Sequence, residues 1–201
     1  MNRKLGVLIS GRGSNLQAII DAVAAGRLDA TIAVVIANKK AAGGLVRARL
    51  AGIATVVLEH AAYPSRVAYD EALVAELRRH DVRLVCLAGF MRLLSATFVE
   101  AFPNSILNVH PSLLPAFPGL HGQDQAWRHG VKVAGATVHL VTPELDAGPI
   151  VLQVAVPVEP GDTPDTLAER ILVEEHRIYP AAIGILLDGG WRIEGRRFVR
   201  S

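Results

Sequence analysis

The chain has 201 residues, of which 51% are hydrophobic and 20% charged, and its formal net charge is +2. A chain of this length buries roughly 70% of its unfolded surface, which suits one soluble globular domain. The small net charge does not favour a nucleic-acid partner, and no apolar run approaches the roughly 20 residues that a membrane span needs. The single cysteine, Cys86, allows no internal disulfide and is expected in the core. We therefore expect a cytoplasmic protein without a membrane partner.

Strand and helix patterns alternate through the first half of the chain. The β-branched and apolar runs predict strands at 4–10, 31–38, 53–59, 82–89 and 105–110. Helical patterns lie between them at 16–26, 44–52 and 95–102. Another helical pattern begins after Ser65, its predicted cap, and has Tyr69, Leu73 and Leu77 on one face. Strands that are apolar on both faces and separated by helices are typical of a parallel sheet. The sequence therefore predicts a doubly wound, mostly parallel α/β fold.

The pattern changes after Gly119. Strands predicted at 133–141 and 149–158 are joined by a turn-rich loop and indicate an added antiparallel hairpin. Thr163 or Asp162 would cap a last helix that runs to about Leu187, before Gly189. The basic tail at 191–200 is read either as a nucleic-acid patch or as a solvated edge, and the second interpretation is favoured. We expect one domain over 1–201.

A glycine-rich loop, Ser10 to Asn15, lies between the first strand and the first helix. Gly13 lets the backbone approach an anion, and the helix start offers unpaired N–H groups. Ser14 and Asn15 add side-chain donors. Leu16 stands where a dinucleotide fingerprint has its third glycine, so a phosphate monoester suits this loop better than a pyrophosphate. The alternative is a tight turn with an ordinary Ser/Asn cap.

Asn108 and His110 lie two residues apart on a predicted strand and therefore share one face. At the carboxyl end of a parallel strand, that face borders the crevice in which ligands bind. Prolines at 111, 115 and 118 would hold the imidazole in place. An amide beside an imidazole can stabilise an oxyanion, as acyl transfer requires. The alternative is a structural histidine.

Asp146, in the constrained turn before Gly148, is the natural third member of this group. If it reaches His110, it would favour the imidazolium; otherwise it would form an Asx-turn. No Ser or Cys stands in a nucleophile elbow, so covalent catalysis is not indicated. The seven histidines show no metal-ligand spacing, and we predict no metal site.

Four motifs together resemble the phosphoribosylglycinamide formyltransferases, a family of folate-dependent enzymes of purine synthesis. They are ISGRGSNLQAII at the N-terminus, LAGFMRLL at 87–94, NVHPSLLPAFPG at 108–119 and ELDAGPI at 144–150. The resemblance covers nearly the whole chain. It implies transfer of the formyl group of 10-formyltetrahydrofolate to the amine of phosphoribosylglycinamide, without a metal. It also implies that both substrates are small molecules and that the protein is a monomer or homodimer.

The resemblance further implies residue roles. Gly13, Ser14 and Asn15 would hold the phosphate substrate, with Glu175 on its ribose side. The folate pocket would be formed by Arg66, Met91, Arg92, Leu93, Leu94, Asn108, Thr142, Pro143, Glu144, Leu145 and Asp146. Asn108, His110 and Asp146 match the catalytic trio. The phosphate-substrate half would be 1–104, and the catalytic and folate-binding half 105–201. Without a ligand, the run at 91–94 would be interpreted as core and Glu175 as part of a solvated helix face.

The segment 122–124 departs from the family pattern, which usually has another basic or imidazole residue there. Three alternatives to the main interpretation stay open. A formyltransferase acting on charged tRNA would need an RNA-binding surface, and a formyltetrahydrofolate hydrolase usually has a regulatory domain before the first strand. A non-catalytic nucleotide-binding module would give Asn108, His110 and Asp146 no reason to coincide.

Overall fold

A computed structural model of the protein describes residues 2–200. The chain divides into two compact units, which separate in the sequence between Leu107 and Asn108. Among the residues described, no helix combines the length and apolar character that a membrane crossing requires.

The first unit is built from parallel strands and the helices that connect them. Its elements are β1 (Lys4–Ile9), α1 (Ser14–Ala24), β2 (Thr31–Ala37), α2 (Gly44–Leu50), β3 (Thr55–Val57), a 3-10 turn (His60–Ala62), α3 (Arg66–Arg79), β4 (Leu84–Leu87) and α4 (Ala96–Ala101). The strand order is β3-β2-β1-β4, and every pair in it is parallel. β1 is buried from Leu5 to Ile9, as expected of a strand covered on both faces.

Two local predictions in this unit are confirmed. The Ser65 hydroxyl accepts a hydrogen bond from the Ala68 N–H at 3.1 Å and so caps α3, whose Tyr69, Leu73 and Leu77 are buried. Cys86, in β4, is fully buried, as expected for a thiol inside an apolar run.

The second unit contains an antiparallel hairpin and a long helix. Its elements are β5 (Ile106–His110, which starts before the division), α5 (Gly122–His129), β6 (Val133–Leu140), β7 (Ile150–Pro157), α6 (Pro164–Asp188), β8 (Trp191–Glu194) and β9 (Arg197–Arg200). The strand order is β5-β6-β7-β9-β8. β6 and β7 form the predicted antiparallel hairpin, and α6 begins at a capping box in which Thr163 and Thr166 bond each other's backbone. The predicted fold class, α/β with parallel strands and an added antiparallel hairpin, is confirmed.

The tail was predicted as a solvated edge, and this prediction is confirmed, because its two strands end the strand order and are half-buried or exposed throughout; that the tail forms strands was not predicted. Residues 191–194 and 197–200 form a second antiparallel hairpin, β8 with β9, and β9 joins β7 in parallel through Ile150 and Arg197. The ring of Trp191 stacks on Phe198 at 5.2 Å, which gives this small hairpin an apolar side. A further element, α5, lies where no helix was predicted.

Candidate active site

The glycine loop of the first unit is held in one shape by close backbone contacts. Gly13 has φ of 73°, and a Cβ at this position would lie 2.5 Å from the Gly44 Cα, so only glycine fits. The Gly44 N–H donates to the Gly11 carbonyl at 3.1 Å, and the Arg47 Nε donates to the Arg12 carbonyl at 3.0 Å. The loop is therefore braced against α2.

The loop leads directly into α1, which begins at Ser14 rather than at the predicted position 16. The residue at the N-cap position is Gly13, which has no side chain to cap the helix. An uncapped helix N-terminus presents N–H donors and the positive end of the helix dipole, which is the arrangement that binds phosphate groups. Asn15 is buried, with 8% of its surface exposed, whereas Ser14 is half-buried.

The apolar run after β4 is not core. Met91 is 61% exposed, Leu93 58% exposed and Arg92 exposed, while Leu94 is half-buried. The interpretation of this run as core is therefore wrong, because Met91 and Leu93 expose apolar side chains at the surface. Arg66, also predicted for the folate pocket, is exposed at the first residue of α3.

The exposed run is fixed at both ends by hydrogen bonds within the first unit. The Met91 N–H donates to the Ser10 hydroxyl at 2.8 Å, and the Ser95 N–H donates to the buried Asp70 carboxylate at 2.6 Å. Next to Asp70, burial raises the pKa of the Tyr69 phenol, an effect that the charge of Asp70 increases and that of Arg92 opposes. Hydrogen bonds therefore hold the backbone at both ends of this exposed run.

His110, at the end of β5, is 4% exposed, and both of its ring nitrogens face polar groups of the second unit. Nε2 donates to the Phe117 carbonyl at 2.9 Å. Nδ1 lies 3.5 Å from Oδ2 of Asp146. The structure thus brings His110 and Asp146 together, although 36 positions separate them in the sequence.

The Asp146 carboxylate is 9% exposed and accepts a hydrogen bond from the Gly119 N–H at 2.8 Å. Burial by itself would raise the pKa of this carboxyl. Its contacts with His139 and with the Gly119 N–H outweigh burial, and the charge of His110 adds to them, so the pKa lies below its ordinary value. Asp146 is therefore an anion beside the His110 ring at neutral pH.

The sequence analysis missed His139, which completes this cluster from β6. Its Nδ1 donates to the Leu140 carbonyl at 3.0 Å, so in the neutral tautomer Nε2 accepts from the Asn108 amide at 3.3 Å. The same Nε2 lies 3.6 Å from Oδ1 of Asp146. His139 therefore lies between the two groups: its Nε2 accepts from the Asn108 amide as a neutral ring or donates toward the Asp146 carboxylate as an imidazolium.

The turn at 142–148 presents Asp146 in a strained conformation. Asp146 has φ of 49°, in the left-handed region, and a Cβ at Gly148 would lie 1.8 Å from the Leu140 carbonyl oxygen. The predicted pocket residues of this turn are half-buried at Thr142 and exposed from Pro143 to Leu145. The turn is tied to β6 so closely that only glycine fits at 148.

Glu175 is buried in α6, with 7% of its surface exposed, so its interpretation as part of a solvated helix face is wrong. The altered segment after His121 forms the start of α5. There the Gln125 amide donates to the Leu120 carbonyl at 2.8 Å and to the Pro118 carbonyl at 3.3 Å, which closes the loop onto the helix.

The second unit also contains a cavity of about 700 Å³ beside Asp146. Its walls come from the proline-fixed loop, from the start of β7 and from the unpredicted C-terminal hairpin: Leu114, Pro115, Asp146, Gly148, Ile150 and 196–200. Within the described part of the chain, no group of three or more histidine, cysteine or acidic side chains is arranged so that it could hold a metal ion.

Comparison with known proteins identifies the family. The formyl transferase family matches residues 3–183, which is most of the chain. The chain therefore belongs to the formyl transferase family. The C-terminal hairpin lies beyond the matched residues.

Two relatives and one solved structure show which enzymes of the family this chain is similar to. Phosphoribosylglycinamide formyltransferase of Escherichia coli (strain K12) is 50% identical over 183 residues, which cover 91% of this chain and 86% of that protein. The human trifunctional purine biosynthetic protein adenosine-3 is 49% identical over 92% of this chain, but the chain spans only 18% of its length. Among solved structures, glycinamide ribonucleotide transformylase 1 from Symbiobacterium toebii is 57% identical, with a TM-score of 0.96 over 98% of this chain and 93% of that one.

Proposed function

We propose that this protein transfers the formyl group of 10-formyltetrahydrofolate to the primary amine of 5'-phosphoribosylglycinamide, a step of purine biosynthesis. The observation that carries the proposal is the cluster of Asn108, His110 and Asp146, connected through His139, in a chain whose relatives bear the corresponding enzyme name. An amide donor, an imidazole and an anion within a few ångströms are the groups that an acyl transfer through a tetrahedral intermediate requires.

In the proposed reaction, the neutral amine attacks the formyl carbon and forms a new C–N bond. The Asn108 amide has a second N–H besides the one that bonds His139, and this N–H would donate to the oxyanion. His110 would contribute as an imidazolium, since its Nε2 already donates to Phe117 and its Nδ1 faces Asp146. The intermediate collapses as the bond to N10 breaks, and a proton passes from the attacking nitrogen to N10.

Asp146 would support this transfer in two ways. As an anion beside His110, it stabilises the imidazolium. Through water, it would also relay the proton from the incoming amine to the leaving nitrogen. Most of the rate enhancement would come from holding the two substrates in line, since proximity can supply roughly 7–11 kcal/mol.

Binding roles are proposed residue by residue. Gly13, Ser14 and Asn15 would bind the phosphate monoester at the uncapped start of α1, and the buried Glu175 would bind the ribose hydroxyls. The folate would be bound by Arg66, Met91, Arg92, Leu93, Leu94, Asn108, Thr142, Pro143, Glu144, Leu145 and Asp146. Support for this assignment comes from the exposure of Met91 and Leu93, apolar side chains that a flat aromatic ligand would cover.

The test is a spectroscopic assay of tetrahydrofolate release from 10-formyltetrahydrofolate, with and without phosphoribosylglycinamide. Release only when the ribonucleotide is present supports the proposal. Release without it would assign a hydrolase instead, and no release in either case would assign a binding module. Release that requires a charged tRNA in place of the ribonucleotide would assign a tRNA formyltransferase.

Two broader assignments belong to the same proposal. Both substrates are small and water-soluble, so the protein would act in the cytoplasm, without nucleic-acid or membrane partners. We also propose that it is a monomer or homodimer. Cell fractionation and sedimentation of the purified protein test these points. Recovery in the membrane fraction, or a larger assembly, would contradict them.

A further inference from the structure

The loop between β5 and α5 carries the group that orients His110. Its Phe117 carbonyl accepts from Nε2 of His110 at 2.9 Å, so the ring direction depends on where this carbonyl lies. Phe117 has φ of 54°, which is unfavourable for a bulky side chain and persists only where the surroundings hold it. Some other part of the second unit must therefore fix the loop.

One anchor of the loop is the fully buried Thr137 of β6. Its hydroxyl donates to the Ser112 carbonyl at 2.6 Å and accepts from the Leu114 N–H at 3.1 Å. The loop also lies directly on this strand, because a Cβ at Gly135 would lie 2.7 Å from a Leu113 methyl carbon. Thr137 thus bonds the backbone on both sides of Leu113.

The second anchor comes from Gln153, the register partner of Thr137 on β7. Its amide nitrogen donates to the Leu114 carbonyl at 2.9 Å and to the Thr137 hydroxyl at 2.9 Å. The Thr137 hydroxyl accepts two hydrogen bonds and donates one, which is its full hydrogen-bonding capacity. One amide therefore ties two neighbouring strands to the loop.

The anchored segment continues to the carbonyl that His110 bonds. The Ser112 hydroxyl donates to the Ala116 carbonyl at 2.6 Å, and Ala116 immediately precedes Phe117. A displacement of Ser112 or Leu114 would therefore move the Phe117 carbonyl and with it the imidazole.

We propose that Gln153 is a positioning residue for His110, acting through Thr137 and the backbone of Leu114. Gln153 touches neither the imidazole nor the reacting atoms; it fixes the loop on which the acceptor of His110 stands. This inference rests on the proposed function for its effect on turnover, but its structural part is independent of any activity. Gln153 is exposed, so its substitution should not create a cavity in the hydrophobic core.

The kinetic test compares Gln153→Leu and Gln153→Glu with the wild-type protein in the formyl-transfer assay. Both variants remove the donor, so kcat should fall about tenfold, as expected for a displacement of roughly half an ångström, while KM for each substrate stays within about twofold. Glu169→Leu is the control, because it places leucine at an exposed position of α6, outside the loop and its two anchoring strands, and it should leave kcat unchanged. Wild-type kcat in Gln153→Leu overturns the proposal.

Substitutions of Thr137 provide a second test, in which a conservative variant should restore activity. Thr137→Val removes the hydroxyl and should lower kcat by at least as much as Gln153→Leu, whereas Thr137→Ser retains the hydroxyl and should restore most of kcat. In the double variant Thr137→Val/Gln153→Leu, the losses should not add, because both act through the same loop. Fully additive losses contradict a shared path.

The spectroscopic arm does not depend on turnover. In protein labelled with ¹⁵N-histidine, the His110 Nε2–H signal, assigned by its loss in His110→Gln, should shift or broaden in Gln153→Leu and stay in place in Glu169→Leu. An unmoved signal in Gln153→Leu overturns the positioning role. If the wild-type protein transfers no formyl group but the signal moves as expected, the proposed function fails and the positioning role stands.

Discussion

Gly122, the first residue of α5, packs against the imidazole of the proposed active site, and Gly122→Ala should impair turnover without unfolding the protein. A Cβ at this position would lie 3.1 Å from Nε2 of His110 and 3.1 Å from the Phe117 carbonyl oxygen. Ordinary contacts of this kind begin near 3.4 Å, so the His110–Phe117 pair must open by about 0.3 Å (3.4 − 3.1). A misplacement of 1 Å can cost about a hundredfold in rate, so this shift should lower kcat roughly three- to tenfold, or about 0.7–1.4 kcal/mol.

Stability should change little in the same variant, because alanine favours a helix over glycine by at most about 1 kcal/mol, and less at a first helical position. The assay pairs kcat from tetrahydrofolate release with a thermal melt. Gly161→Ala is the control, since a Cβ there meets nothing within 4 Å. A wild-type kcat in Gly122→Ala, or a loss that only mirrors a fall in Tm, would refute the reasoning.

Four further predictions concern Asp146, Asn15 and Ser65. Asp146→Asn should reduce turnover by two or more orders of magnitude with KM for phosphoribosylglycinamide nearly unchanged; a variant with wild-type kcat would exclude Asp146 from the mechanism. Because the folded-state pKa of Asp146 is depressed, its charge contributes stability that is present above the unfolded value near 3.8 and is lost as pH falls through the lower folded value. Urea unfolding should therefore show the wild-type protein to be more stable than Asp146→Asn at pH 7, with the gap closing below about pH 4; a constant gap would contradict this. Asn15→Ala should mainly raise KM for the ribonucleotide, and a pure kcat effect would argue against phosphate binding by the loop. Ser65→Ala should cost about 1 kcal/mol of unfolding free energy through the lost cap of α3, with the exposed Thr97→Ala as the control; equal stability would mean that the cap contributes nothing.

The order of strands and helices could be predicted from the hydrophobic pattern, since parallel strands buried on both faces give continuous apolar runs and helices between them give a repeating one. α5 escaped prediction because its sequence, GQDQAWRH, has only two apolar side chains and no repeating stripe. His121, the residue that precedes this helix, has φ of 60°, which no local rule for a non-glycine residue predicts. The helix forms instead because Ala126 is buried and Gln125 bonds two loop carbonyls, which are tertiary effects.

The C-terminal hairpin did leave a signal in the sequence. Trp191 to Glu194 alternates apolar and charged residues, and Gly195 follows at φ of 61°, a pattern typical of a short hairpin. Because the segment is rich in arginine, it was interpreted from its charge, and the alternation of apolar and charged residues was not used. His139 left no such signal, because a histidine within an apolar strand is ordinarily a satisfied core residue. Its role depends on the register of β6 and on the position of Asp146, neither of which periodicity determines.

The strained residues of the second unit explain why the candidate site needs so much support. Phe117, His121 and Asp146 are all non-glycine residues with positive φ, and all belong to the two loops around His110. Each such conformation costs on the order of 1–3 kcal/mol, so the loops would relax if they were free. Hydrogen bonds from Gly119 to Asp146, from Thr137 to Ser112 and from Gln153 to Leu114 oppose that relaxation. An imidazole held between a carbonyl and a carboxylate thus depends on bonds one and two strands away, and substitutions at those distant positions should affect turnover before they affect folding.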